Sequence, residues 1–222
     1  MTGNYMRVIA CALFCLLGIQ QSAWAAGDEF RRRQEHNESQ WNLKLPEFYG
    51  VKFGVPSGVS TNGLRKGEAK DDSGYVVGVY WEGVDESLRP ADFFDFARIK
   101  YSYGTIAPEA ALFCGHFPGN LTLAECMRKL DDLASDINAK YGVELAPNDA
   151  RQDVAPSDRR FTGEAPADKA KDEERHLFLE GAVVYCRRFQ NRHVSILMEA
   201  GENRYGELCA RLFVEDGLHS RW

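Results

Sequence analysis

Residues 122–142, TLAECMRKLDDLASDINAKYG, form the stretch that decides the fold. Thr122 is followed three residues later by Glu125, the spacing of a capping box in which hydroxyl and carboxylate each accept a backbone N–H at a helix start. Apolar side chains then recur every three or four positions, which is the period of a helix with one buried face. These positions are Leu123, Met127, Leu130, Leu133, Ala134, Ile137 and Tyr141. Since Gly142 suits a helix end, the sequence predicts one long amphipathic helix over Leu123–Tyr141.

Three segments ahead of this helix carry the pattern of strands. Gly74–Glu82 and Phe93–Tyr103 alternate between two faces with a period of two, and Ala110–Phe117 is apolar on both faces, as in a central strand. A shorter strand is predicted at Tyr49–Gly54. The segment 56–72 is rich in glycine and ends in a charged run, which predicts a long irregular loop.

The chain after the helix divides into a charged segment and a terminal meander. Residues 146–175 mix prolines with many charged side chains, so we expect a mobile insertion that buries too little surface to fold. His176–Phe189, Arg192–Glu199 and Tyr205–Val214 then predict three antiparallel strands. The expected fold is α+β, in a single domain over residues 46–222: an antiparallel sheet of about six strands with one long helix packed on one face.

The first 25 residues have the layout of a secretory signal peptide. Arg7 precedes an apolar run, Val8–Ile19, and the segment ends in the small-x-small exit Ala23–Ala25. The run is shorter than the roughly 20 residues that a membrane-spanning helix needs, so we expect cleavage after Ala25 and a periplasmic or secreted protein. A lipoprotein box at Cys11 is disfavoured because the apolar run continues past the cysteine. Residues 26–45 are predicted to be a flexible leader.

The net charge of the chain makes some classes of partner less expected. The 222-residue chain has a net charge of −6, and loss of Arg7 with the signal peptide makes it −7. An acidic chain of this kind gives no reason to expect nucleic acid or an anionic membrane surface as a partner, and no membrane span is predicted.

Four cysteines remain after cleavage: Cys114, Cys126, Cys186 and Cys209. An even number of cysteines in an exported chain predicts two disulfides, because the compartment is oxidising. Four cysteines allow three pairings, which the sequence does not decide. The pairs Cys114–Cys126 and Cys186–Cys209 are preferred because each would join neighbouring elements.

Histidines and cysteines leave two alternatives open. Cys114 and His116 could bind zinc with Cys126 as a third ligand, but export favours oxidation of the thiols, and we expect no metal and no cofactor. His116, His176 or His193 could serve acid–base chemistry beside a carboxylate. Charged side chains at strand ends are, however, more often simply exposed to solvent than catalytic.

Aromatic side chains are concentrated in the first half of the chain. Such residues anchor binding faces well, although most of them are expected to form the core. We expect a partner surface among those on the sheet face away from the helix. The set comprises Tyr80, Trp81, Phe93, Phe94, Phe96, Tyr101 and Tyr103.

Common catalytic motifs are missing from the sequence, including Gly-x-Ser-x-Gly, His-Glu-x-x-His, the phosphate-binding loop and Cys-x-x-Cys. The chain is therefore expected to be a binding protein more than an enzyme. The leading hypothesis is an exported interaction module, such as an inhibitor, an envelope assembly factor or a carrier, whose partner is another envelope or secreted protein. A small-molecule ligand is compatible with the carrier variant. The alternative is an envelope-directed hydrolase with a dispersed site containing histidine.

Overall fold

A computed structural model of the chain describes residues 31–70, 72–102, 107–148, 183–203 and 205–217, without the side chains of Val77 and Ser102. The signal peptide, Tyr103, His176 and most of the predicted insertion lie outside the described residues.

Contacts divide the chain into two units, Met1–Asn42 and Leu43–Trp222. In the first unit, residues 31–42 form a helix, α1. A flexible leader over residues 26–45 stays a prediction, with a helix in this part of it. The sequence here is rich in Arg, Gln and Glu, which favour helix, and the side-chain amide of Asn42 donates to the Glu38 carbonyl at 3.0 Å.

The second unit is built on an eight-stranded antiparallel sheet with the order β3-β4-β5-β6-β10-β9-β8-β7, beside a two-stranded hairpin, β1-β2. The strands are β1 (Glu47–Phe48), β2 (Val51–Lys52), β3 (Arg65–Lys70), β4 (Val76–Gly83), β5 (Phe96–Ser102), β6 (Pro108–His116), β7 (Ala146–Pro147), β8 (Val183–Gln190), β9 (Val194–Glu202) and β10 (Leu208–Asp216). The α+β class and the antiparallel sheet are confirmed. The expected number of about six strands was too low, and the chain has a helix besides the long one.

The long helix, α2, spans Leu123–Tyr141 as predicted. Its capping box is complete, because the Thr122 hydroxyl accepts from the Glu125 N–H and the Glu125 carboxylate accepts from the Thr122 N–H at 2.7 Å. Gly142 ends the helix with φ of 66°. The predicted strands before and after the helix are also present, as β4, β5, β6 and the meander β8-β9-β10.

The structure differs locally from the predicted elements at three places. Tyr49–Gly54 is not one strand, because Tyr49 and Gly50 adopt positive φ (43° and 81°) and form the two-residue turn of the β1-β2 hairpin. The predicted loop over 56–72 contains the edge strand β3. The insertion was expected to begin at about residue 146; Ala146–Pro147 pairs with β8 as β7, and the insertion itself stays a prediction.

Helix α2 covers one face of the sheet and forms the main core with it. Leu130 and Ile137 of the helix are fully buried in the same cluster as Phe113, Met198 and Leu212. In the sheet register Leu212 of β10 pairs with Phe113 of β6 on one side and with Met198 of β9 on the other, so these three side chains share one face. We call this face the helix-side face.

The other face carries ion pairs. The Glu82 carboxylate, with a side chain only 5% exposed, accepts hydrogen bonds from Arg65 at 2.8 Å and from Arg98 at 2.7 Å. Arg211 contacts the buried Glu199 carboxylate at 2.7 Å. We call this surface, defined by Arg65, Glu82, Arg98, Glu199 and Arg211, the ionic face.

Candidate binding pocket at the sheet edge

An open pocket of about 320 Å³ lies at the β3-β5 end of the helix-side face. Its lining comes from the three strands and from the loop between β2 and β3. The lining residues are Ser57, Val59, Thr61, Lys66, Val79, Trp81 and Tyr101.

The floor of the pocket is formed by β4 and β5. Val79 lies directly opposite Tyr101 in the sheet register, and Trp81 lies two residues along β4 on the same face. This follows from the alternation predicted for both strands, since residues two apart share a face. Tyr101 is 7% exposed, and burial raises the pKa of its phenol, so the ring stays neutral at physiological pH. The floor is therefore apolar and aromatic.

One wall is the edge strand β3. Lys66 lies directly opposite Trp81 in the register and is exposed to solvent. An ammonium group at the border of an aromatic floor attracts anions from the solvent and can also contact the face of a ring. The wall therefore adds a positive charge to an otherwise uncharged pocket lining.

The opposite wall is a loop whose backbone is held in place. The Lys52 N–H donates to the Gly58 carbonyl at 2.7 Å, and the Gly58 N–H donates to the Val55 carbonyl at 2.9 Å. A Cβ at Gly58 would lie 2.1 Å from the Lys52 carbonyl oxygen, so this close approach requires glycine. Ser57 adopts a φ of 55°. The loop thus presents its side chains from a fixed backbone.

The lining combines groups that stack, form hydrogen bonds and attract negative charge. Its volume is at the lower end of the range for ligand sites, which fits one partner side chain or a small ligand. An aromatic floor, two hydroxyl groups and one ammonium group suit an apolar or aromatic body with an anionic end.

The structure separates the aromatic residues that the sequence singled out. Trp81 and Tyr101 meet in the pocket on the helix-side face, and Tyr80 lies on the ionic face with the Arg98 guanidinium 4.6 Å from its ring centre. Phe93 and Phe94 are core residues. The expectation that a partner surface uses the face away from the helix stays a prediction, and the pocket lies on the other face.

The preferred pairing of Cys114 with Cys126 is not supported. All four cysteines are buried thiols rather than disulfides. Cys114 lies opposite Arg211 on the ionic face, whereas Cys126 belongs to the helix-side core. Because the sheet lies between the two side chains, they cannot meet. Burial raises the pKa of Cys126 to about 11 and also raises the pKa of Cys114, which disfavours thiolate chemistry at either residue.

The preferred pairing of Cys186 with Cys209 is not supported either. Cys186 lies opposite Glu199 and Cys209 lies opposite Gly201, so β9 runs between them. Two interstrand spacings amount to about 10 Å, and a disulfide needs Cα atoms within roughly 7 Å.

Among the candidate histidines, His116 has a carboxylate neighbour. Its Nδ1 lies 3.1 Å from an Asp95 oxygen, and both side chains are about one third exposed. His193 lies just before β9, where desolvation and the cations Arg192 and Lys44 lower its pKa. His176 lies outside the described residues.

The zinc alternative finds no support from the geometry, because Cys126 is on the other side of the sheet from Cys114 and His116. Within the described ranges, no three His, Cys, Asp or Glu side chains are grouped so that they could hold a metal ion. Of the helices in the same ranges, none is both long and apolar enough to cross a bilayer.

Sequence reasoning missed the wall residues of the pocket. Ser57, Thr61 and Lys66 fall in the segment predicted to be an irregular loop, and nothing in their local pattern indicates a pocket. The available signal was the cluster of glycines around Gly58, which is typical of a tightly turned loop.

Comparison with known proteins gives no match: no protein-family model, no curated protein and no solved structure matches this chain.

Proposed function

We propose that the chain is an exported interaction module, periplasmic or secreted, that binds another envelope or secreted protein through the pocket at the sheet edge. The observation that carries this proposal is the joining of Trp81, Tyr101 and Lys66 in one open pocket. Tryptophan and tyrosine are among the residues that most often dominate the energy of protein interfaces. The export signal in the sequence supports the compartment.

The geometry also supports a particular kind of partner side chain for this pocket. A partner side chain with an aromatic or branched apolar body would stack on Trp81 and Tyr101. A carboxylate or other anion next to it would pair with Lys66. Hydrogen bonds to Ser57 and Thr61 would fix the orientation of the bound group. Inhibitor, assembly factor and carrier roles all use such a contact.

The pocket can be tested with anilinonaphthalenesulfonate, an anionic aromatic probe whose fluorescence rises in apolar sites. The proposal expects saturable binding that weakens about tenfold in Trp81→Leu and about threefold in Lys66→Met, given the usual energies of aromatic and cation contacts. Trp41→Leu and Lys44→Met are matched controls at exposed positions outside the pocket. Equal binding by all four variants would exclude the pocket as the probe's site.

The physiological partner can be sought by affinity capture from the exported fraction of the source cells. A genuine partner is retained by the wild type and by Trp41→Leu, and lost with Lys66→Met and Trp81→Leu. Recovery of the same proteins by every variant, or of none, would count against an interaction module. For export itself, the mature protein is expected to begin at Ala26, which N-terminal sequencing checks.

A second candidate function is an envelope-directed hydrolase, and the contact between His116 and Asp95 favours it. A carboxylate beside imidazole orients the ring and stabilises its charged form, which general acid–base chemistry requires. Replacement of His116 by Ala should then abolish hydrolysis of envelope material without loss of thermal stability. A wild-type protein that is inactive on such substrates would exclude this function.

A further inference from the structure

The outer edge of β3 is a long strand edge at one end of the sheet. In the described part of the chain β4 is the strand that pairs with β3, and the sheet ends there. The opposite end is β7, which has two residues, one of them Pro147 without a backbone N–H. An antiparallel strand directs about half of its N–H and C=O groups to each side. The outer side of Lys66–Lys70 therefore carries donors and acceptors for a further strand.

The two faces of this edge differ in chemistry. Lys66 and Glu68 lie on the pocket face, opposite Trp81 and Val79. Lys70 follows the irregularity in the register, and its ammonium lies 3.8 Å from the Glu68 carboxylate. Gly67 and Ala69 lie on the other face, where the Tyr80 ring covers Gly67 so closely that a Cβ there would be 2.3 Å from ring atoms. An incoming strand would therefore meet two lysines and one glutamate, a net positive charge, on one face, and small residues beside an aromatic ring on the other.

We propose that β3 receives an acidic, extended segment of the protein partner as an added strand of the sheet. Acidic side chains of the segment would lie on the face of Lys66 and Lys70. Apolar side chains, which alternate with them, would lie over Gly67 and Ala69 beside the Tyr80 ring. In strand addition the main-chain hydrogen bonds supply affinity and the alternate side chains supply specificity. This inference rests on the proposed interaction function and names the class of its partner.

Charge favours an acidic segment over a second copy of this chain. β3 holds three cations and one acid, so a second copy would bring the same excess of positive charge. In the antiparallel register that centres on Glu68, Lys66 would face Lys70 of the copy, and like charges directly opposite each other destabilise a sheet. The alternative is that the edge only prevents pairing with other strands, since lysines and irregularities such as the one between Ala69 and Lys70 also serve that purpose. Such an edge would bind no peptide.

The test uses a pool of acetylated, amidated heptapeptides with Glu or Asp at alternate positions and Val, Leu, Phe or Tyr between them. A second pool has the same side chains but carries N-methyl groups on alternate backbone amides, which removes the donors of an added strand. Binding is measured by fluorescence anisotropy, and protection of the β3 amides by hydrogen exchange. We expect the first pool to bind and to protect amides within Lys66–Lys70, and the second pool to bind at least tenfold more weakly.

Charge reversal at the edge gives a second measurement. Lys70 does not line the pocket, and Lys70→Glu should weaken binding of the first pool about fivefold. Lys44→Glu, an exposed site off the sheet edge, should change the affinity less than about twofold. Both variants should bind anilinonaphthalenesulfonate as the wild type does.

Each of the other outcomes overturns strand addition. Equal binding of the two peptide pools would mean that side chains alone are recognised, while the pocket proposal stands. Binding of the fluorescent probe without binding of either pool would also reject strand addition and leave the pocket intact. A dimer of the free protein whose β3 amides are protected from hydrogen exchange would assign the edge to a second copy. Failure of probe, peptides and partner capture together would reject the proposed function as well.

Discussion

Replacing Glu82 by Gln removes the buried carboxylate that joins β3, β4 and β5 on the ionic face. Arg65 is 63% exposed, so loss of its contact costs less than about 1 kcal/mol. Arg98 is 24% exposed and donates two charge-assisted hydrogen bonds, at 2.7 and 2.6 Å. Loss of one partner of a buried pair costs about 3–5 kcal/mol, and partial rehydration of Arg98 reduces this. We expect the free energy of unfolding to fall by about 2–3 kcal/mol.

Urea unfolding followed by circular dichroism measures this change. Glu68→Gln is the matched control, because Glu68 is on the neighbouring strand, is 54% exposed and has its Lys70 contact at 3.8 Å. We expect the control to lose less than about 0.5 kcal/mol. Equal losses in the two variants, or a loss below about 0.5 kcal/mol in Glu82→Gln, would refute the view that the buried carboxylate stabilises this part of the sheet.

Three further predictions concern the fold. Thr122→Ala should lower the free energy of unfolding by about 1 kcal/mol through loss of the helix cap, whereas Thr122→Ser should retain most of it; equal losses in chemical denaturation would contradict the capping interaction. Gly115→Ala would place its Cβ 1.8 Å from the Phe93 carbonyl oxygen, so we expect a loss of about 3 kcal/mol or failure to fold, and wild-type thermal stability would be inconsistent with this close approach. Burial and the neighbouring Tyr141 raise the pKa of Tyr49 to about 12 from 10.0. Because the unfolded chain loses this proton first, the free energy of unfolding should fall as the pH rises from about 10 to about 12. Tyr49→Phe should make that fall smaller in unfolding curves measured across the same pH range.

The long helix could be predicted because its signals are local. Thr122, Glu125 and the apolar stripe lie within one segment, and capping and amphipathicity do not depend on the rest of the chain. The central strands were also predictable, since alternation in β4 and β5 reflects burial of one face. For the same reason the predicted faces of Trp81 and Tyr101 agree with the structure.

The features that the sequence did not reveal depend on distant partners. β3 has the sequence RKGEAK, and it is a strand because it pairs with β4 and not because it buries an apolar face. Tyr49 occupies a turn position that favours Asn, Asp or Gly, and the Tyr141 hydroxyl, 92 residues away, accepts from its N–H at 2.8 Å. The pocket depends on both kinds of feature, because β3 and the turned loop form its walls.

Cys114 and Cys126 are close in the sequence but lie on opposite sides of the sheet. Cys114 follows Phe113 on β6, so the two side chains point to opposite faces. Phe113 joins the helix-side core, and Cys114 therefore lies away from Cys126. The alternation of side chains along β6 shows that Phe113 and Cys114 lie on opposite faces. It excludes the Cys114–Cys126 pair only once the face covered by α2 is known.

Site-specific photocrosslinking tests most directly whether the pocket at the sheet edge is the contact surface. A photoreactive p-benzoylphenylalanine is placed at Thr61, in the pocket wall, and at Ser135, an exposed position on α2, in the full chain expressed in its own cells. If the pocket binds the partner, irradiation yields a discrete crosslinked protein from the Thr61 variant, and this product disappears when Lys66→Met is added. The same product from both positions, or none from Thr61 while Ser135 reacts, would contradict the proposed site.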